Sequence, residues 1–480
     1  MLQKMLKFVD RDRVSPDQRS PEARRADFDE IYMEFAAEKA AEQASRCSQC
    51  GVPFCQVHCP LGNNIPDWLR ATAEGRLEEA YALAAETNAM PEICGRICPQ
   101  DRLCEGSCVL EQSGHGTITI GAIERYVTET AWDRGWVKPI RAGAATGRSV
   151  GIIGAGPVGL TAAEGLRRQG HDVAIYDRHD RAGGLLTYGI PNFKLEKHVV
   201  ARRVERLLAA GVSIHLETEI GKSVSFSELR DRHNAILIAT GVYSARELSV
   251  PGIQSSGVIP ALDYLVASNR RAFGDVVPEF DSGRLNAMGK RVVVVGGGDT
   301  AMDCVRTAAR QDATSVTCLY RRDRTNMPGS QIEVSNADAE GVAFEWLASP
   351  QEIIGNERVT GVRAERMQLG AQEPDGRQRM VQIENSAFSI EADMVITALG
   401  FDPEDLPRLF CEPGLGVSRW GTIVADPITG ATSIPGVFAG GDIVRGASLV
   451  VWAVRDGREL ARSIGNYLAH MHICDKAQVS

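Results

Sequence analysis

Apolar and polar residues alternate differently in three stretches of the chain. Over residues 27–46, Phe28, Ile31, Tyr32 and Phe35 recur at three-to-four spacing, which predicts a helix with one buried face. The same period predicts helices over 66–85 and 120–132. Residues 141–148, RAGAATGR, read as a linker of small residues. Beyond it the pattern becomes short continuous apolar runs, each stopped by glycine. SVGIIGAG and KRVVVVGGGD (from Lys290) each read as strand, turn and helix. AILIATG and DMVITALG are strands ending at Gly241 and Gly400, and residues 272–287 between the two halves are polar and loop-like. The chain closes on another strand, turn and helix, with Leu449, Val450, Ala453, Val454 and Leu460 on one helical face. Alternating strands and helices predict an α/β fold with parallel sheets behind a helical N-terminal region.

Charge and composition narrow the chemistry. The formal charge of −9 disfavours a general nucleic-acid or membrane-surface binder. There is no apolar run of about 18 residues and no N-terminal stretch of signal-peptide character, so a cytoplasmic location is expected. Eight of the twelve cysteines fall between Cys47 and Cys108, while Cys304, Cys318, Cys411 and Cys474 are scattered. Clustered cysteines in such a chain point to bound metal rather than to a disulfide framework.

The first glycine turn is Gly154-x-Gly156-Pro157-x-Gly159, after an apolar strand and before a helix. Glycines there permit the tight turn, the close approach of a pyrophosphate and the packing of helix on strand. The next strand ends in Asp177, placed to bond a ribose hydroxyl. The second turn, Gly296 to Ala301 with Gly298 between, follows the same pattern, but its next strand ends in Arg321 and Arg322. Guanidinium groups there suit a 2′-phosphate, so this site is expected to take NADP(H) and the first FAD. Arg324 stands close enough in sequence to contribute. Thr240–Gly241 and Ala398–Gly400 give two further strand ends suited to a nucleotide, and Gly441–Asp442 stands at a helix start facing the flavin.

The cysteines read Cys47-x2-Cys50-x4-Cys55-x3-Cys59-Pro60 and Cys94-x3-Cys98-Pro99-x4-Cys104-x3-Cys108. Four thiolates within thirteen residues, the last followed by proline, fit 4Fe–4S clusters better than zinc, which favours paired groups at longer separation. Interleaved runs put Cys47, Cys50, Cys55 and Cys108 on one cluster and Cys59, Cys98 and Cys104 on another. The fourth ligand of the second is Cys94 or a side-chain oxygen, and spacing does not decide between them. A structural zinc site, or one cluster with free thiols, is the alternative.

Taken in order, CSQCGVPFCQVHCPLGNNIPDW, ICGRICPQDRLCEGSCV, GAIERYVTE, IIGAGPVGLTAAEGLRRQGHDVAIYDR, GGLLTYGIPNFKL, VVVVGGGDTAMDCVRTA, LYRRDRTNMPGS and FAGGDIVRGASLVVWAV resemble the small (β) subunits of NADPH-dependent glutamate synthases over nearly the whole chain. The wider group includes the N-terminal half of dihydropyrimidine dehydrogenase and the large subunit of NADH-dependent ferredoxin:NADP oxidoreductase. The resemblance implies a helical 4Fe–4S domain over 1–145, an FAD domain in two parts over 146–280 and 406–480, and an inserted NADPH domain over 281–405. It adds Arg178, Gly184, Leu185, Lys194 and Ser448 to the FAD set, and Asp299 and Thr300 to the NADPH set. It also favours Glu124 over Cys94 as the fourth ligand of the second cluster. The implied chemistry is hydride transfer from NADPH to FAD without an acid or base, then single-electron export through two clusters. The implied partner is a large subunit carrying FMN and a glutaminase, in a hetero-oligomer that makes glutamate from glutamine and 2-oxoglutarate. The chain itself shows neither an N-terminal cysteine nucleophile nor an FMN region, so alone it is expected to oxidise NADPH without making glutamate. Ferredoxin or another reductase is the alternative acceptor. A thioredoxin-reductase-like disulfide reductase would need a redox CxxC near the flavin, and a zinc-stapled nucleotide sensor would lack the cluster absorption.

Overall fold

The computed structural model describes residues 5–372 and 378–478, with side chains described as far as residue 470. Cys474 therefore lies outside the described side chains. The N-terminal third is helical, with helices at Pro21–Ala26, Ala37–Ala44, Ile65–Ala73, Leu77–Thr87, Pro91–Ile97 and Ile120–Asp133 among others. Its core gathers Ile65, Trp68, Leu69, Ala80, Ile120, Ile123 and Val127.

Two helices differ from the periodicity. The stretch expected as one helix over 66–85 is broken at Gly75, whose φ of +78° only glycine adopts at little cost. Residues 27–36 are not helical. Asp27 ends the preceding helix in extended conformation, and its carboxylate accepts from the Asp29 N–H (3.0 Å). Such a side-chain turn competes with helical bonding. Ile31 and Phe35 are buried all the same, from a strap in which Tyr32 bridges to Gln18.

Two parallel five-stranded sheets follow. The first runs Val437–Ala439, Ala235–Ile238, Ser149–Ile153, Asp172–Tyr176, Ser213–His215. Its edge strand comes from the far end of the chain, which closes the first unit around an insertion. The second runs Val258–Pro260, Met394–Thr397, Arg291–Val295, Ser315–Tyr320, Ala343–Trp346. Its edge strand Val258–Pro260 pairs with Met394–Thr397, so the second unit begins upstream of residue 281. The pattern of apolar runs does not reveal this strand, because three residues carry too little pattern. An antiparallel sheet of Ala348–Ile354, Gly361–Gln372, Gln378–Gln382 and Phe388–Glu391 was likewise not foreseen. Where the chain crosses between units, Ser244–Ala245 pairs antiparallel with Phe401–Asp402.

The C-terminal helix Val450–Gln478 packs along Pro157–Arg168, the helix after the first glycine turn. The approach is close: a Cβ on Gly457 would stand 2.6 Å from the Val158 carbonyl oxygen. The core of the first sheet also continues into the helical region through Leu61, Met90, Ile93 and Cys94. The cysteine-bearing segments are thus fixed to the first sheet by shared burial rather than tethered by the linker. Among the described residues no helix is long and apolar enough to cross a membrane.

Candidate functional site

The strand Ser149–Ile153 delivers the chain to Gly154 at φ +108°, where a Cβ would lie 2.4 Å from the Ala239 carbonyl oxygen. At Gly156 a Cβ would meet nothing within 4 Å, which leaves the space in front of the helix N-terminus open to a phosphate. Pro157 opens that helix. Asp177 follows the second strand, and its carboxylate accepts from the Ala155 N–H (2.7 Å) and the His179 N–H (2.8 Å). A cleft beside it is lined by Gly154, Asp177, Arg178, Thr218, Tyr243 and Glu404. Arg178 bonds Glu404 (2.8 Å) and lies over the Tyr243 ring (4.7 Å). The Thr240 hydroxyl in the same cleft is buried without a partner. An adenosine ribose would fill the cleft and satisfy that hydroxyl, so these residues fit FAD. Thr218, Tyr243 and Glu404 escaped the sequence reading because they come from separate loops without a motif.

The second turn repeats the first. Gly296 has φ +150°, with the Ala398 carbonyl oxygen 2.3 Å from where a Cβ would be, and the space at Gly298 is open. Asp299 starts the next helix and accepts from the Ser330 N–H (2.9 Å). Thr300 and Ala301 follow in its first turn, with Ala301 buried. Arg321 is exposed and Arg322 half-buried, with the Arg322 Nε buried and unpartnered. That free donor fits a bound 2′-phosphate. Arg324 is engaged elsewhere, bonding Asp338 (2.7 Å) and Ser335 (3.1 Å). Gly400 turns at φ +96° beyond the strand Met394–Thr397.

A larger cavity of about 320 Å³ opens between the units. It is lined by Leu185 and Ser448 from the first, Asp299 and Thr300 from the second, and Cys98 from the helical region. Gly184 sits at the foot of Leu185 with φ +54°. Gly441 (φ +77°) leads into Asp442, whose Oδ1 accepts from the Ser448 hydroxyl (3.0 Å). Burial pushes the Asp442 carboxyl up to about 6. The unfolded chain would ionise this group near its ordinary value of about 3.9, so the folded state binds the extra proton between those pH values. Stability is therefore lost as pH rises through that window, by an upper bound of about 3 kcal/mol above it. Asp442→Asn should stabilise the flavin-free protein toward denaturant at about pH 8, with roughly half the gain at about pH 5. An equal gain at both pH values would mean that charge burial is not the cause.

The cysteines of the two runs line two cavities. One cavity is lined by Cys47, Cys50, Cys55 and Cys108. A second is lined by Cys59, Cys94, Cys98, Cys104 and Glu124. Helices Pro91–Ile97 and Ile120–Asp133 bring Glu124 there by packing so closely that a Cβ on Gly95 would lie 2.9 Å from the Gly121 carbonyl oxygen. Both Cys94 and Glu124 face this cavity, and each has Asn88 within reach, at 3.8 Å from Cys94 Sγ and 3.4 Å from Glu124 Oε1. All described cysteines are free thiols. Burial pushes the Cys55 thiol up to about 12 and Cys59 up to about 11, and lifts Glu124 well above the carboxylate range. These groups hold their protons until a cation replaces them, so loading iron releases protons. The soft, ringed donor sets fit iron–sulfur clusters. Cys98 and Gln100 line both this cavity and the large one.

Comparison with known proteins agrees with this arrangement. Residues 24–136 match the family described as dihydropyrimidine dehydrogenase domain II, 4Fe-4S cluster. Residues 148–457 match pyridine nucleotide-disulphide oxidoreductase. The chain is 61% identical to the NADPH glutamate synthase small chain of Azospirillum brasilense over 97% of its own length and 96% of the relative's. It is 44% identical to the corresponding chain of Escherichia coli K12, covering 98% and 100%. It is also 45% identical to the putative oxidoreductase AegA of that organism, covering 95% of this chain and 70% of that one. FprA of Mycobacterium tuberculosis in complex with NADPH shares the fold, with TM-score 0.57 and 18% identity over 68% of this chain and 86% of that one.

Proposed function

The chain belongs to the NADPH glutamate synthase small-chain family, and from that premise we propose that it takes electrons from NADPH and delivers them singly to a large subunit. It is an NADPH-dependent oxidoreductase that binds FAD and 4Fe–4S chemistry. The single observation carrying the reading is the large cavity, which has Leu185 and Ser448, Asp299 and Thr300, and Cys98 on its walls. The flavin, when bound, supplies acceptance of an electron pair and its release one electron at a time.

The chain's own residues bind, orient and exclude. Gly154, Gly156, Pro157 and Gly159 would seat the FAD pyrophosphate, Asp177 its ribose, and Arg178, Gly184, Leu185, Thr240, Gly241, Gly441, Asp442 and Ser448 the remainder. Gly296, Gly298, Asp299, Thr300, Ala301, Ala398 and Gly400 would seat NADPH, with Arg321 and Arg322 on its 2′-phosphate. Cys47, Cys50, Cys55 and Cys108 would hold one cluster. Cys59, Cys98, Cys104 and Glu124 would hold the second, with Cys94 beside it. The acceptor would be the large subunit, where glutamine and 2-oxoglutarate become glutamate.

Anaerobic titration with NADPH and with NADH tests the reading. NADPH should bleach the flavin and then reduce cluster signals, whereas NADH should do so poorly. Flavin that NADPH leaves oxidised would end the proposal. The lone chain should pass electrons to an artificial acceptor and form no glutamate. The likeness to AegA favours a second reading, in which another redox protein takes the electrons. Co-purification with the large subunit from cells decides between the two.

A further inference from the structure

Two residues of the first unit project into the second. Phe193 and Lys194 belong to the segment Pro191–Leu195; the Phe193 ring is buried and the Lys194 side chain is 11% exposed. The Phe193 ring lies beneath the guanidinium groups of Arg306 (4.6 Å) and Arg310 (3.9 Å). Lys194 Nζ donates to Asp303 Oδ1 (2.8 Å) and stands 3.6 Å from Glu333 Oε2. Arg306, Arg310, Asp303 and Glu333 all belong to the second unit, on helices Asp299–Arg310 and Gln331–Ala339. The socket is tied together from within. Arg306 bonds Glu333 (2.5 Å) and Glu340 (2.9 Å), and Arg310 bonds Glu340 (2.6 Å). The helical region covers it, with Arg24 3.6 Å from Glu340 and the Phe28 ring 6.3 Å from that of Phe193.

A second contact joins the units, with Arg270 bonding Asp180 (2.9 Å), Arg181 bonding Asp275 (2.7 Å) and the Asn269 amide donating to the Tyr188 carbonyl (2.9 Å), but it is more exposed than the socket. The chain crosses twice, and the crossings share only the two-residue ladder of Ser244–Ala245 with Phe401–Asp402. So short a ladder cannot hold an orientation by itself. Orientation must come from side-chain contacts, and a buried charge in a socket tolerates little displacement because any gap leaves it unpaired. Asp303 stands one helical turn beyond Asp299, on the helix that opens at the second glycine turn, and Lys194, Phe193, Asp303 and Glu333 line the large cavity. This contact therefore borders the space in which the two units face one another.

Resting on the reading above, we infer that Phe193 and Lys194 form a latch that holds the NADPH-binding unit on the FAD-binding unit, with Lys194 as a positioning residue for hydride transfer rather than a flavin ligand. Lys194→Met should keep wild-type FAD and iron content. Its flavin reduction at saturating NADPH should slow at least about tenfold, since a misplacement of about 1 Å suffices for that. Hydrogen exchange across residues 299–310 and 331–339 should rise, and Lys194→Arg should restore most of both properties. Wild-type reduction rate and exchange in Lys194→Met would overturn the latch. So would loss of FAD with unchanged exchange, which would return Lys194 to the flavin ligands. If Lys194→Met fails to fold, Asp303→Asn carries the same expectations. Wild-type protein runs alongside: if NADPH does not reduce its flavin, the functional reading fails, independently of the latch.

Discussion

Cys98→Ser should remove one of two iron–sulfur clusters and stop electron delivery to the large subunit, while flavin reduction by NADPH persists. Cys98 stands in the wall shared by the second cysteine cavity and the large cavity, and among the described cysteines it alone lines both. A serine oxygen is a harder donor and a poor replacement for a thiolate on iron. The variant should lose about half of its iron and acid-labile sulfide, as expected when one 4Fe–4S centre of two is lost. Transfer to an artificial acceptor that takes electrons from the flavin should continue, whereas glutamate formation with added large subunit should fall below detection. Full iron content with normal glutamate formation would show that Cys98 is no ligand. A spectroscopic measurement separates the two candidates for the fourth position. Glu124→Gln should perturb the second cluster's electron paramagnetic resonance signal, whereas Cys94→Ser should leave that signal in place. The reverse pattern would assign Cys94.

Exchanging Arg321 and Arg322 for alanine should cost NADPH about 10² or more in kcat/KM and leave NADH nearly unaffected. A hydrogen bond to a charged group contributes about 1.5–3 kcal/mol, and two such contacts to a 2′-phosphate reach that range at about 1.4 kcal/mol per tenfold. The unpartnered Arg322 Nε is a donor in waiting. Arg324 is tied to Asp338 and Ser335, so Arg324→Ala should change kcat/KM less than about threefold. An equal loss for both nucleotides in the double variant would move the effect from phosphate recognition to folding.

The two glycine turns were legible because each is local. A glycine at φ +108° or +150° beside a neighbouring strand's carbonyl is encoded within a few contiguous residues, and the strand before it announces itself by apolar run. The spacing divides the cysteines into two sets only where the runs interleave, and it leaves Cys94 and a side-chain oxygen both open as the second set's fourth member. Lys194 reads differently in sequence and in space. Its motif places it among flavin ligands, yet its described bonds reach Asp303 and Glu333, more than a hundred residues away. The helix expected over 27–46 forms only at Ala37–Ala44, because periodicity counts only burial, and over 27–36 the same burial is reached by an extended strap once Asp27 turns the backbone.

Local stretches of the chain already carry the chemistry on offer: two glycine turns, one followed by a strand ending in Asp177 and the other by a strand ending in Arg321–Arg322, and eight thiols in two runs. Those features depend on backbone geometry and donor type over short spans, where neighbours along the chain are neighbours in space. What meets across the gaps follows from the folded arrangement. It brought Val258–Pro260 into the second sheet and set Glu124 and Cys94 on one cavity. It also made Cys98 common to two cavities and seated Phe193–Lys194 in a charged socket. Such meetings arise from packing helices and sheets far apart in sequence, a choice made by the whole core at once and left unwritten in any single segment.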